Sequence, residues 1–302
     1  MKTLFSSLLT VCSISLLHAQ DLMIASPKVT SYKNAAASGP SAGSYKIGSQ
    51  VKLVEKSANG KFYKVSQDKG ATGWITSAQA VPLNKPTTKE VALAVARNYN
   101  TKPSESGTAN VEVENWLKAL KADKTLTPTE SAEVEFFRLV TIQRIARSIP
   151  FGTNQLKAWT DSHKKEVYYS DYGNAGHFLQ QDLLWKLEAT VPTTDPLKER
   201  IAYEASQLET GGECEGYWVC VLDRALSKSG EYLKRHPKGK NANALVQSVL
   251  EEFKYSDPAE TKTYDAADKK MVKKSVADWK SILSKTNDSP ARKELLTLLA
   301  KF

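Results

Sequence analysis

Histidine, cysteine and methionine are scarce, at four, three and three in 302 residues. So few imidazoles and thiols exclude a protein built around clustered His/Cys metal ligands. The patterns His-Glu-x-x-His and the Walker glycine loop are both missing, which removes the commonest metalloprotease and nucleotide-binding signatures. Beyond the first twenty residues there is no long apolar run, and mean hydropathy is −0.42, so an integral membrane bundle is excluded. Proline and glycine are too sparse for a collagen-like or low-complexity chain. The hydrophobic share of 41% is too high for a disordered one.

The one apolar run lies within Met1–Gln20: Lys2, a core from Leu4 to Leu17, and Ala19. A short basic start, a core of this length and a small residue before the break form a secretory leader over 1–19, so the chain is expected to work outside the cytosol, periplasmic or secreted, with no membrane span left after cleavage. Cys12 leaves with the leader. Cys214 and Cys220 remain, and two cysteines in an oxidising compartment are expected to pair. Nothing beside them completes a metal site.

Charge is uneven. The chain carries +9, of which Asp21–Asn84, with eight lysines and three acids, holds +5. Outside the cytosol the anionic partners for such a segment are cell-wall polymers or lipid head groups; export argues against nucleic acid.

Two periodicities divide the chain. From Met23 to Leu83 apolar residues alternate, as in Gln50–Glu55, Lys61–Ser66 and Gly70–Ile75, with turn signals at Ala58-Asn-Gly60 and Gln67-Asp-Lys-Gly70. Ser31–Gly48, rich in Ala, Ser and Gly, reads as a loop. The expected fold is multidomain: a small all-β, five-stranded barrel or sandwich over residues 22–84, then an all-α array or bundle over 85–302. Lys85-Pro-Thr-Thr88 is the junction. Helices are expected near Thr88–Asn98, through the Val111–Leu120 stripe, and from the capping box Thr127-Pro-Thr-Glu130 to Pro150. Others should cover Thr160–Ser170, Ala175–Thr190, Pro196–Leu208, Tyr217–Arg235, Ala242–Tyr255, Thr261–Lys285 and Pro290–Phe302. No alternating strand is expected after residue 110.

The β segment resembles the bacterial SH3-like (SH3b) domain. The residues that carry the likeness are Gly39-Pro40-Ser41, Gly48-Ser-Gln-Val51, Asn59-Gly60 with Phe62-Tyr63-Lys64-Val65, and Gly70-Ala-Thr-Gly73-Trp74-Ile75. Phe62 departs from the pattern, where Trp is common. The resemblance covers about a fifth of the chain and implies a shallow groove, for which Tyr32, Tyr45, Phe62, Tyr63 and Trp74 are candidates, edged by Lys33, Lys46 and Lys61. Tyr232-Leu-Lys-Arg-His236-Pro237 with Gly239, Ala242 and Ala244 resembles the helix turn of periplasmic tetratricopeptide proteins. Gly212-Glu-Cys-Glu-Gly-Tyr-Trp-Val-Cys220 is similar to uncharacterised secreted bacterial proteins.

Taken together, the residues predict an exported envelope protein that binds or scaffolds, docking on peptidoglycan or an envelope protein, with no catalytic residue, cofactor or metal assigned. The competing expectation is a peptidoglycan hydrolase of glycosidase type. It would draw its acid from Glu204, Glu209, Glu213 or Glu215, because that chemistry needs a general-acid carboxyl. His163 is expected at the surface, His177 at a helix start, and His236 at a helix C-terminus. Trp116, Trp159, Trp185, Trp218 and Trp279 fall in helical stripes and are expected in the core.

Overall fold

A computed structural model describes residues 20–67, 72–83, 88–171 and 173–302. The leader reading over 1–19, the turn at 68–71 and the junction at 85–87 lie outside the described residues. The chain divides into two compact units, one up to Val95 and one from Ala96 to Phe302.

The first unit is a seven-stranded antiparallel sheet. Its strands are β1 (Asp21–Ile24), β2 (Lys28–Tyr32), β3 (Ser41–Lys46), β4 (Gln50–Lys56), β5 (Phe62–Ser66), β6 (Gly73–Thr76) and β7 (Ala80–Pro82), in the order β3-β2-β6-β5-β4-β1-β7. Period-two alternation places Val51 and Leu53 of β4 inside and Gln50 and Lys52 outside. Leu22, Ile24, Val29, Val65 and Ile75 complete the core. The β4–β5 turn closes as its residues dictate: Gly60 adopts φ +67°, and Asn59 Oδ1 accepts from the Ser57 hydroxyl at 2.9 Å and the Lys61 N–H at 3.0 Å.

Two expectations change here. The sheet has seven strands rather than five, and its hydrogen-bond order runs from one edge strand to the other instead of closing. Ser31–Gly48 is not a loop throughout: it holds the end of β2 and all of β3. The β3 strand is an edge, and Tyr45 is its only buried residue, so its small polar side chains give no alternation to read.

In the second unit eleven α-helices are found among the described residues, the first of them crossing the boundary. They are α1 (Thr88–Thr101), α2 (Gly107–Lys121), α3 (Pro128–Ser148), α4 (Lys157–Ser162), α5 (Asp182–Thr190), α6 (Pro196–Gln207), α7 (Trp218–Ala225), α8 (Glu231–Arg235), α9 (Ala242–Phe253), α10 (Ala266–Leu283) and α11 (Pro290–Leu299). The capping box forms in full: Glu130 N–H donates to Thr127 Oγ1 at 3.2 Å, and Thr127 N–H to Glu130 Oε2 at 2.7 Å. α3 packs on α2 and α5. A second apolar centre gathers Trp218, Tyr232, Phe253 and Trp279 from α7, α8, α9 and α10.

The reading of 160–190 as two helices is overturned. α4 stops at Ser162, and β8 (Val167–Ser170) pairs antiparallel with β9 (Gly176–Leu179) before α5 begins. Strands of four residues are too short to display a period, and Phe178 and Leu179 are both buried although they point to opposite faces. One π-helical turn, Leu226–Gly230, interrupts what reads as a single helix over Tyr217–Arg235.

Candidate functional site

The sheet unit separates the five aromatic candidates. Tyr45 is buried among the core residues, where desolvation raises its hydroxyl pKa, and Tyr63 packs on the same core opposite Ile75. Phe62, Trp74 and Tyr32 are half-buried. Phe62 and Trp74 stand on the other face of β5 and β6, since their neighbours Val65 and Ile75 point inward. Tyr32 of β2 pairs with Trp74, and Trp74 with Lys64, so the three lie in one row across β2, β6 and β5. Lys64 Nζ stands 5.8 Å from the Trp74 ring centroid and 3.5 Å from Glu55. One strand back, Lys56 Nζ is 5.8 Å from the Tyr63 ring. Of the five aromatic candidates, Tyr32 and Trp74 share this outer row, while Tyr45 lies in the core.

Position 73 has no room for a side chain. A Cβ there would lie 2.5 Å from Ser31 Oγ and 2.7 Å from Ser31 Cβ, so only glycine lets β2 and β6 approach.

In the helical unit Cys214 and Cys220 are disulfide-bonded. The bond closes a turn in which Glu215 takes φ +46° and Tyr217 N–H donates to Cys214 O at 2.7 Å. It anchors the start of α7, where the buried Trp218 indole donates to Asp257 O at 3.0 Å. The acids named around this turn do not converge. Glu213 and Glu215 are exposed, and Glu209 pairs with Arg147 at 2.8 Å. Glu204 is half-buried near Arg144 and Arg200, and burial pushes its carboxyl above the usual range.

Two ionic networks escaped the sequence reading. In the first, Arg138 pairs bidentately with Glu135 at 2.9 Å, with Glu114 at 3.3 Å, and with Glu166. His163, expected at the surface, is 8% exposed inside this network. Its Nε2 lies 3.6 Å from Glu114 and 3.7 Å from Glu166, and its Nδ1 is 2.8 Å from Trp159 O. Desolvation opposes protonation of His163, but the Glu114 hydrogen bond and both carboxylates outweigh it and raise its pKa. Glu114 is likewise desolvated, yet His163 and Arg138 hold it below the usual range. In the second network buried Glu188 meets Arg235 at 2.8 Å, His236 at 3.1 Å and Lys198 at 3.3 Å. The only sequence signal was a charge inside an apolar stripe, such as Glu114 between Val113 and Leu117. Trp159, Trp218 and Trp279 are buried as expected, while Trp116 and Trp185 are half-buried.

Among the clefts on the helical unit, two bear on function. One of about 460 Å³ lies between the π-helical turn and α10, where Asp223, Glu231, Lys234, Lys274, Asp278 and Lys285 mix both signs of charge. The other, about 320 Å³, lies between α4 and the β8–β9 hairpin. It holds His177, expected at a helix start and found on β9 opposite Tyr169. Among the described residues no group of three or more His, Cys, Asp or Glu could hold a metal ion, and no helix is long and apolar enough to cross a membrane. No family model matches the chain, and neither a curated protein nor a solved structure does.

Proposed function

We propose that this chain is an exported cell-envelope binding protein whose N-terminal SH3-like sheet docks on peptidoglycan stem peptides. The observation that carries the reading is the Tyr32–Trp74–Lys64 row on the outer face of a segment with net charge +5. An aromatic face offers an extended peptide a desolvating surface, and the lysines around it attract peptide carboxylates. The Cys214–Cys220 bond accords with work in an oxidising compartment. The helical unit serves as the scaffold.

Purified sacculi test the proposal directly. The protein should sediment with them, less so as salt is raised past the range where surface charges act, and Trp74→Ala should weaken recovery about tenfold. Equal recovery with and without sacculi overturns it. The same incubation separates the hydrolase reading, which Glu204 favours through a half-buried carboxyl whose pKa desolvation raises. Release of soluble fragments, abolished by Glu204→Gln, would establish cleavage instead.

A further inference from the structure

The cleft between α4 and the β8–β9 hairpin takes its apolar lining from Val167, Tyr168 and Tyr169, and the Tyr169 ring is left open beside Phe151. Tyr169 on β8 is 48% exposed and Phe151, in the turn after α3, is 62% exposed. Their rings lie nearly parallel, 13° apart with centroids 6.4 Å from each other. His177 on β9 leans against Tyr169 with centroids 5.0 Å apart. Two large rings stacked together in water, instead of turned into the nearby core, leave apolar area uncovered.

The polar groups of the cleft define what should cover it. Asp161 and Lys164 answer each other at 3.5 Å, and Asp161 also takes Lys157 at 2.8 Å, so the rim charges are satisfied internally. The Gln180 carboxamide and the His177 imidazole make no hydrogen bond with the described residues. Each offers one kind of atom that donates and another that accepts. Burial keeps His177 below the usual histidine range, hence neutral at pH 7. A flat ring face, uncharged donors and acceptors at its edge, and a volume of about 320 Å³ describe a site for a neutral polyhydroxylated ring. Small-molecule sites span about 300–1,000 Å³.

We propose that the α4–hairpin cleft binds a neutral saccharide, with one sugar face stacked on Tyr169 and its hydroxyls exchanging hydrogen bonds with His177 and Gln180. A charged ligand would find no unpaired counter-charge among these groups, and a purely apolar one would strand the carboxamide and imidazole. The site belongs to the helical unit and does not depend on the sheet's role.

Calorimetric titration of the full chain with chitotetraose and, separately, cellotetraose tests this. At least one should bind saturably, with an affinity indifferent to salt because no ion pair forms. Tyr169→Ala should weaken binding about tenfold, the loss expected of a stacking partner together with its buried area. Gln180→Ala should weaken it severalfold, Tyr169→Phe should retain it, and Trp74→Ala on the sheet should leave it unchanged. Circular dichroism confirms that each variant is folded. If neither oligosaccharide binds, or if Tyr169→Ala and Gln180→Ala both bind as wild type does, the assignment falls. Binding abolished by Trp74→Ala but not by Tyr169→Ala would move the saccharide to the sheet and equally overturn it.

Discussion

His163 shows how a single side chain can mislead when read from its neighbours in sequence. It follows Asp161 and Ser162 and precedes two lysines, a solvent-facing context, yet it stacks on Trp159 with ring centroids 4.3 Å apart and faces Glu114 and Glu166, both of which pair with Arg138. The consequence is a pH dependence with a definite sign. Because the folded-state pKa of His163 is raised, its contribution is complete below its unfolded value, about 6.5, and is lost as pH rises through the folded one. Glu114 acts oppositely: its pKa is lowered, so its contribution is present above about 4.5 and disappears as pH falls through the folded value. The melting-temperature gap between wild type and His163→Gln should therefore be widest near about pH 5–6 and narrow on the alkaline side. A gap that widens toward high pH would contradict the placement of the proton. Glu114→Ala should be more damaging, by about 3 kcal/mol, because it leaves buried Arg138 and His163 short of a carboxylate.

The elements with chemical boundary signals formed where those signals stand. Pro128 at the first position of α3, the Thr127 cap and the reciprocal Glu130 bond each satisfy a donor or fix a dihedral that a helix start requires. Thr127→Ala should cost about 1 kcal/mol, read as a fall of about 2–4 °C in melting temperature. The β8–β9 hairpin lacked such signals. Its strands are short, and the apolar residues Val167, Tyr168, Phe178 and Leu179 suit a helix stripe as well as a buried ladder. What decides between them is non-local: Leu179 N–H donates to Gln143 Oε1 at 2.7 Å, and Gly211 N–H to Tyr168 Oη at 3.2 Å, partners far along the chain. The cleft went unread for the same reason, since Thr160, Tyr169 and His177 belong to three separate elements.

For the whole molecule, each unit buries apolar residues of its own and so poses its own stability problem. Leu22, Val29, Val65 and Ile75 are packed together in the first, and Trp218, Phe253, Trp279 and Leu295 in the second. The disulfide acts on the second alone. Closing so short a loop contributes about 2–2.5 kcal/mol in the chain-entropy account. Reduction should lower the melting temperature of the helical unit by about 5–10 °C. It should leave amide exchange in β4, β5 and β6 untouched. Equal loss of protection in both units would show that they unfold as one.

The two modules, the change from period two to period 3.6, most helix boundaries and the Cys214–Cys220 pairing all follow from the order of residues along the chain. Each is governed by contacts within a few positions: alternation, caps, turns, or a loop of six residues. The arrangement of Trp74 beside Tyr32 and Lys64, the burial of Tyr45, the ion networks around Arg138 and Glu188, and the open stack of Phe151 on Tyr169 were settled only by folding. Each depends on distant segments meeting, and the free energy of a buried charge or an exposed ring is set by what surrounds it in space.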